Sequence, residues 1–218
     1  MNGAESLVRT LVASGVDVCF TNPGTSEMHF VAALDRVDGM RCVLGLFEGV
    51  VTGMADGYAR MADKPASTLL HLGPGLGNGL ANLHNAKKAF TPVVNIVGEH
   101  ATYHIEYDAP LTADIEGIAR PVSGWVKTSK SAKDVAADGA AAVAASMGPP
   151  GQIATLILPA NTAWDESNGP AQPVAPAPLP GPDPDAVREA AAALTSGAET
   201  LIHMTGRALR ADTLEIAG

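Results

Sequence analysis

Two places in this 218-residue chain combine residue types that do chemistry. The first is Glu48, the sole acid among residues 42–54, set between the apolar run Val43-Leu44-Gly45-Leu46-Phe47 and a helix-like stretch from Gly49. A carboxylate at a helix start is commonly held there by the positive end of the helix dipole. Apolar neighbours that strip water from it would equally suit a carboxylate that shares a proton with a ligand. The second place is His71-Leu72-Gly73-Pro74-Gly75-Leu76-Gly77-Asn78-Gly79, a glycine-rich turn between an expected strand and an expected helix. A dinucleotide fingerprint G-x-G-x-x-G begun at Gly73 meets Asn78, and begun at Gly75 it meets Leu80, so the spacing fails. No Gly-Lys-Ser/Thr follows, which removes a Walker loop. The backbone is bare either for a flat ligand at the C-terminal edge of a sheet or for tight helix–sheet packing. His71 is either an ordinary histidine at a strand end or a proton-transfer group, and His100 and His104 after Val97 are further candidates.

The elements that must position these residues follow from hydrophobic period and turn chemistry. Leu7, Val8, Leu11 and Val12 mark one face of a helix over 4–14, stopped by Gly15. Short apolar runs at 16–20, 42–47, 67–72, 93–97, 124–127 and 153–158 read as strands. Helical stretches at 26–37, 49–61, 80–90 and 132–146 alternate with them, and 98–121 is less regular. Continuous apolar strands imply burial on both faces, and the alternation implies right-handed βαβ units. The expected class is α/β: a doubly wound, mostly parallel six-stranded sheet with helices on both faces over residues 1–162. Prolines at 170, 173, 176, 178, 180, 182 and 184 make 163–184 an extended linker. A helix at 185–194, a strand at 200–204, a turn at Gly206 and a helix at 209–216 then read as the start of an incomplete central α/β domain. A stretch this short cannot bury its own apolar faces.

Composition narrows the function. Fourteen basic against 23 acidic residues give a net charge of −9, which argues against a nucleic-acid partner. The sequence holds no apolar run long enough to span a bilayer and no basic leader, so the expected location is cytoplasmic, without membrane association. Cys19 and Cys42 both sit in apolar runs and are expected as buried free thiols, without zinc or Cys-x-x-Cys spacing. Aromatic residues are only 4%, so the core must come from Ala, Val, Leu and Ile.

Taken together, several segments resemble the pyrimidine-binding domain of thiamine-diphosphate enzymes in the acetolactate synthase, pyruvate decarboxylase and benzoylformate decarboxylase superfamily. They are Gly15-Val16-Asp17-Val18-Cys19-Phe20-Thr21-Asn22-Pro23-Gly24, Glu48 with Gly57-Tyr58-Ala59-Arg60, Gly73-Pro74-Gly75-Leu76-Gly77-Asn78, Thr91-Pro92-Val93-Val94 and Gly98-Glu99. The resemblance makes 1–162 the pyrimidine-binding domain, and its implied activity is that of a 2-oxo acid carboligase or decarboxylase, acetolactate synthase-like. Glu48 would hydrogen-bond N1′ of the cofactor's aminopyrimidine and so promote the C2 ylid that attacks the 2-oxo acid. Pro23, Gly24, Gly77 and Asn78 would face the pyrimidine, with Thr25, His71 and His100 around the substrate and His71 catalytic. Mg²⁺ and diphosphate would be held by a Gly-Asp-Gly…Asn motif in a C-terminal domain; that motif is absent here, so this chain alone is expected to be inactive, with no metal site of its own. FAD accompanies some acetolactate synthases, and no residue here points to it. A homodimer or homotetramer is implied, because the cofactor lies between subunits. His71 and Thr25 also look like the benzoylformate decarboxylase pattern. That leaves open a non-oxidative decarboxylase, and beside it a non-catalytic α/β module or one subunit of a split enzyme.

Overall fold

The structure, a computed structural model, describes residues 1–217. The chain forms two compact units, Met1–Pro178 and a second from Leu179 onward. In the first, six strands appear in the expected alternation: β1 (Val18–Asn22), β2 (Arg41–Leu44), β3 (Ala66–Leu70), β4 (Val93–Glu99), β5 (Trp125–Thr128) and β6 (Ile153–Pro159). Their order is β2-β1-β3-β4-β6-β5, and every neighbouring pair is parallel. The expected doubly wound sheet is therefore present and parallel throughout. The helices are α1 (Gly3–Ala13), α2 (Met28–Arg36), α3 (Glu48–Ala62), α4 (Leu72–Lys88), α5 (Ile115–Ala119), α6 (Val135–Ser146) and α7 (Ala160–Trp164).

The two-residue period of the strands divides the apolar side chains between two cores. Cys19, Leu69, Val94, Ile96, Leu156 and Leu158 pack with α1, α2 and α6. Phe20, Leu70, Val93, Val97, Ile153 and Ile157 pack with α3, α4 and α5 on the other face. Each such side chain contributes about 1.5–3 kcal/mol on full burial. A polar ladder crosses the second face. Thr68 Oγ1 donates to Asn95 Oδ1 at 2.7 Å, Asn95 Nδ2 donates to Thr155 Oγ1 at 3.0 Å, and Ser123 pairs with Thr155 at 2.7 Å. Thr68, Asn95 and Thr155 are register partners on β3, β4 and β6. A one-residue slip would turn Asn95 into the opposite apolar core, so the ladder penalises the wrong register.

Four sequence expectations are corrected. β2 is not buried on both faces: it lies at the edge of the sheet, and Cys42 is exposed, while Cys19 is the buried free thiol. The glycine-rich turn is not a loop, because α4 begins at Leu72 and carries it as two helical turns. Leu72, Leu76 and Leu83 fall on one buried face, and the glycines let neighbours close in. A Cβ at Gly79 would lie 2.9 Å from Thr52 Cγ2, and one at Gly73 would collide with Ala113. The stretch 26–37 is a 3₁₀ turn (Thr25–Glu27) followed by α2. The strand expected at 200–204 does not form; the second unit, described by itself, holds α8 (Pro184–Leu194), a 3₁₀ turn (Gly206–Leu209) and α9 (Ala211–Ala217). Leu201 and Ile202 are exposed there, and among the described residues no strand lies beside them to supply hydrogen bonds. Beyond α7, chain segments stay on the first unit: Glu166 bridges to Asn2, and the Ala171 N–H donates to Thr10.

Candidate active site

The C-terminal ends of β1 and β3, with the helices that follow β2 and β3, gather the candidate residues. Glu48 is the first residue of α3, after an extended Phe47. Its turn is tied to the end of β1, where Asn22 Nδ2 donates to the Gly45 carbonyl at 2.8 Å and the Gly45 N–H to Thr21 at 2.9 Å. Thr52 Oγ1 lies 3.0 Å from the Gly79 carbonyl, and Asn82 Nδ2 donates to the Gly49 carbonyl at 2.6 Å, joining α3 to α4. That junction delivers Asn78 Nδ2 to Glu48 Oε2 at 3.1 Å. A Cβ at Gly75 would lie 3.4 Å from both Glu48 Oε1 and His71 Cβ, so Gly75 separates the two candidate catalytic groups. The desolvation expected around Glu48 is not supplied within this chain: Leu46 is 90% exposed and Phe47 51%.

His71 caps the N-terminus of α4, and its Nδ1 lies 2.8 Å from Glu27 Oε2. The same oxygen accepts the Gly24 N–H at 2.7 Å. Glu27 is buried, and burial raises its pKa against the opposing pull of the Gly24 N–H and His71. Because Oε2 already accepts from Gly24, an ionised Glu27 takes a proton bond from His71 Nδ1 and leaves Nε2 for a ligand. Glu27 Oε1 has no partner and presses on Gly98, where a Cβ would overlap it. A Cβ at Gly24 would overlap His71 Nδ1, so the bare side of Gly24 seats the imidazole. Pro23 is half-buried, and Thr25, Gly77 and Asn78 are exposed. Among the glycines of this stretch, Gly77 alone would place a Cβ in open space. A backbone kept bare there has no packing reason within the chain.

At the end of β4, Glu99 is buried, and burial, with a smaller effect from Glu27, raises its pKa. Its Oε1 accepts the His100 N–H at 2.7 Å. Burial, His104 and His71 push the His100 pKa down, which places the three histidines in one electrostatic neighbourhood. Sequence reading missed Glu27 entirely. Its signal was there: a glutamate three residues after the first residue of a turn can reach back to that residue's N–H, here that of Gly24. Among the described residues no group of three or more His, Cys, Asp or Glu side chains forms a metal site. No helix among them is long and apolar enough to cross a membrane.

A parallel sheet with a helix-start carboxylate and a glycine-bearing helix side by side at its C-terminal edge defines a class that comparison identifies. Residues 1–118 match the thiamine pyrophosphate enzyme N-terminal TPP binding domain, and the chain belongs to that family. It is 66% identical over 166 residues to the Mycobacterium tuberculosis protein that carries the name acetolactate synthase large subunit IlvX, covering 76% of this chain and 32% of the relative. It is 34% identical over 146 residues to a benzoylformate decarboxylase of Pseudomonas aeruginosa, covering 66% of this chain and 27% of that protein. Among solved structures, the thiamine diphosphate-dependent 4-hydroxybenzoylformate decarboxylase of Rhodococcus jostii RHA1 superposes with a TM-score of 0.80 at 26% identity, over 90% of this chain and 38% of that one. The chain thus spans about a third or less of the curated relatives' length.

Proposed function

We propose that this chain is the pyrimidine-binding part of a thiamine-diphosphate-dependent 2-oxo acid carboligase or decarboxylase, acetolactate synthase-like. The observation that carries the reading is Glu48 at the start of α3, bonded through Oε2 to Asn78 and with Oε1 beside the backbone of Gly75. These residues fit a flat aminopyrimidine: one carboxylate oxygen is left for a ring N–H, and Gly77 offers bare backbone with no packing reason of its own. Thiamine diphosphate, when bound, supplies a carbon nucleophile for the oxo group and a sink for the electrons released with CO₂. Glu48 holds a proton at the ring nitrogen, and Asn78 orients Glu48 from α4. Diphosphate and Mg²⁺ need groups outside these residues. The exposed Leu44, Leu46, Phe47 and Val50 around Glu48 fit a face that a second copy covers, which would also strip water from the carboxylate. Two free thiols suit a reducing, cytoplasmic setting.

The Glu27–His71 pair favours a second reading, a benzoylformate decarboxylase-like enzyme. A buried carboxylate fixing Nδ1 aims Nε2 at substrate, the arrangement a proton-transfer histidine needs. Hydrogen–deuterium exchange at C2 of bound cofactor in the complete enzyme separates the roles. Glu48→Gln should slow exchange by about 10²–10⁴-fold, the usual worth of general acid–base help. His71→Ala should leave exchange nearly intact while changing decarboxylation or the ratio of aldehyde to ligation product. Normal exchange in Glu48→Gln removes the central claim.

A further inference from the structure

The two cysteines of the chain, Cys19 on β1 and Cys42 on β2, are register partners in the parallel ladder of the sheet. Register partners on parallel strands point to the same face. Here that is the face covered by α1, α2 and α6, where Cys19 is fully buried. Cys19 stands in a row between Cys42 and Ser67, its register partner on β3. Burial dominates the pKa of its thiol, the Ser67 hydroxyl bonds to it, and Cys42 lies near enough to add to the rise. Neighbouring strands lie about 4.8 Å apart, within the Cα separation of about 4.4–6.8 Å that a disulfide bridges. Any adjustment falls on β2, the edge strand, which is paired on one side only and whose Cys42 is exposed to solvent.

We propose that Cys19 and Cys42 close reversibly into an intrachain disulfide that staples the edge strand β2 to β1 under oxidising conditions. A reagent in solvent does not reach Cys19, so Cys42 takes the oxidant first. Its thiolate, the proton having gone to solvent, attacks one sulfur of a small disulfide such as oxidised glutathione, and one glutathione thiolate leaves. Cys19 then gives its proton to solvent, attacks the Cys42 sulfur and expels the second glutathione thiolate. Two protein thiols are oxidised to one disulfide, and the small disulfide is reduced to two thiols. Burial pushes the Cys19 thiol up to about 12 and raises that of Cys42 as well. Both are thus protonated near neutral pH, and the pair answers sustained rather than brief oxidation. The loop that closes, residues 19–42, carries Glu27, the partner of His71. Beyond it β2 leads through Gly45, bonded to Thr21 and Asn22, to Glu48. The staple therefore bounds the segment that holds one candidate catalytic group and ties the strand pair ahead of the other. In a reducing medium it opens to the two free thiols of this structure.

The test is oxidised glutathione on the native chain in mildly alkaline buffer, followed by intact mass, peptide mapping and urea unfolding. The parent should pass through a glutathionyl adduct on Cys42 and end two hydrogens lighter than its reduced form, with Cys19 and Cys42 joined in one cross-linked peptide. Cys19→Ser should stop at the adduct, and Cys42→Ser should stay reduced. The oxidised parent should unfold at a higher urea concentration than the reduced parent, because the closed loop restrains the unfolded chain, and dithiothreitol should reverse the shift. The rate of closure should not change with urea below the unfolding transition, since Cys42 meets Cys19 within the folded sheet. Five results overturn the proposal: no oxidation of the parent, a lasting Cys42 adduct in it, a disulfide between two chains in its place, closure that quickens with urea, or a lower urea midpoint after oxidation.

Discussion

Gly98 has ordinary extended backbone, so alanine there carries no conformational penalty of its own; what forbids it is Glu27. A Cβ at Gly98 overlaps Glu27 Oε1, and the backbone of β4 is held by ladders to β3 and β6 and cannot yield. Glu27 must therefore leave its seat, breaking its bonds to the Gly24 N–H at 2.7 Å and His71 Nδ1 at 2.8 Å. Hydrogen bonds to a charged acceptor are worth about 1.5–3 kcal/mol each, and release of the carboxylate from burial returns part of that. Gly98→Ala should thus destabilise this chain by about 2–4 kcal/mol in urea unfolding. Glu27→Ala loses the same two bonds and should cost a similar amount. In the Glu27→Ala background, however, nothing remains for the new methyl to strike, so Gly98→Ala should then cost less than about 1 kcal/mol. The double-mutant cycle should show a coupling of about 2 kcal/mol or more. Additivity within about 0.5 kcal/mol would refute the claim that Glu27 is what the glycine makes room for.

Two further outcomes follow from the titrating groups. Glu27 and Glu99 both have folded pKa values above the ordinary 4.5, so the folded state holds their protons longer than the unfolded chain does. Their contribution is therefore most favourable below pH 4.5 and declines as pH rises through the raised values; Glu27→Gln should gain stability relative to the parent across that climb, and a flat or falling difference would contradict it. Thiol labelling of the native chain should modify Cys42 and spare Cys19, whose pKa burial pushes up to about 12; Cys19 should react only on unfolding, and simultaneous labelling would be incompatible with its place in the core.

The fold was legible because its strands are short apolar runs punctuated by turn residues, and that signal survives whatever the tertiary contacts are. The parts that were not legible share a cause: each depends on what lies across the chain. The stretch 72–79 reads as a loop from its glycines, yet Leu72 and Leu76 hold a helical spacing, and the small residues are there because Thr52, Ala113 and Leu70 crowd them. Cys42 sits in a run as apolar as that of Cys19, and only its edge position in the sheet order decides its exposure. The apolar run at 200–204 has strand composition but, among the described residues, no strand to pair with. Glu27 was hidden because a glutamate reaching back to the Gly24 N–H gives no hint that His71, 44 residues later, lands on the same carboxylate oxygen.

The two candidate catalytic groups differ in how much of their environment the chain provides, and this bears on what each can do alone. Glu27, Gly24 and His71 form a closed set: the carboxylate is buried, its bonds are short, and the glycine exists to admit the ring. Such a set is preorganised by bonds made inside one chain. Glu48 is the reverse case. Its position is fixed by Asn78 and the α3–α4 junction, but Leu46 and Phe47 beside it stand in water. Covering that apolar rim would change the chemistry of Glu48 without moving it, since removal of water strengthens each electrostatic interaction the carboxylate makes. The histidine side of the site is thus built within this chain, whereas the apolar rim of Glu48, made by Leu44, Leu46, Phe47 and Val50, stands exposed.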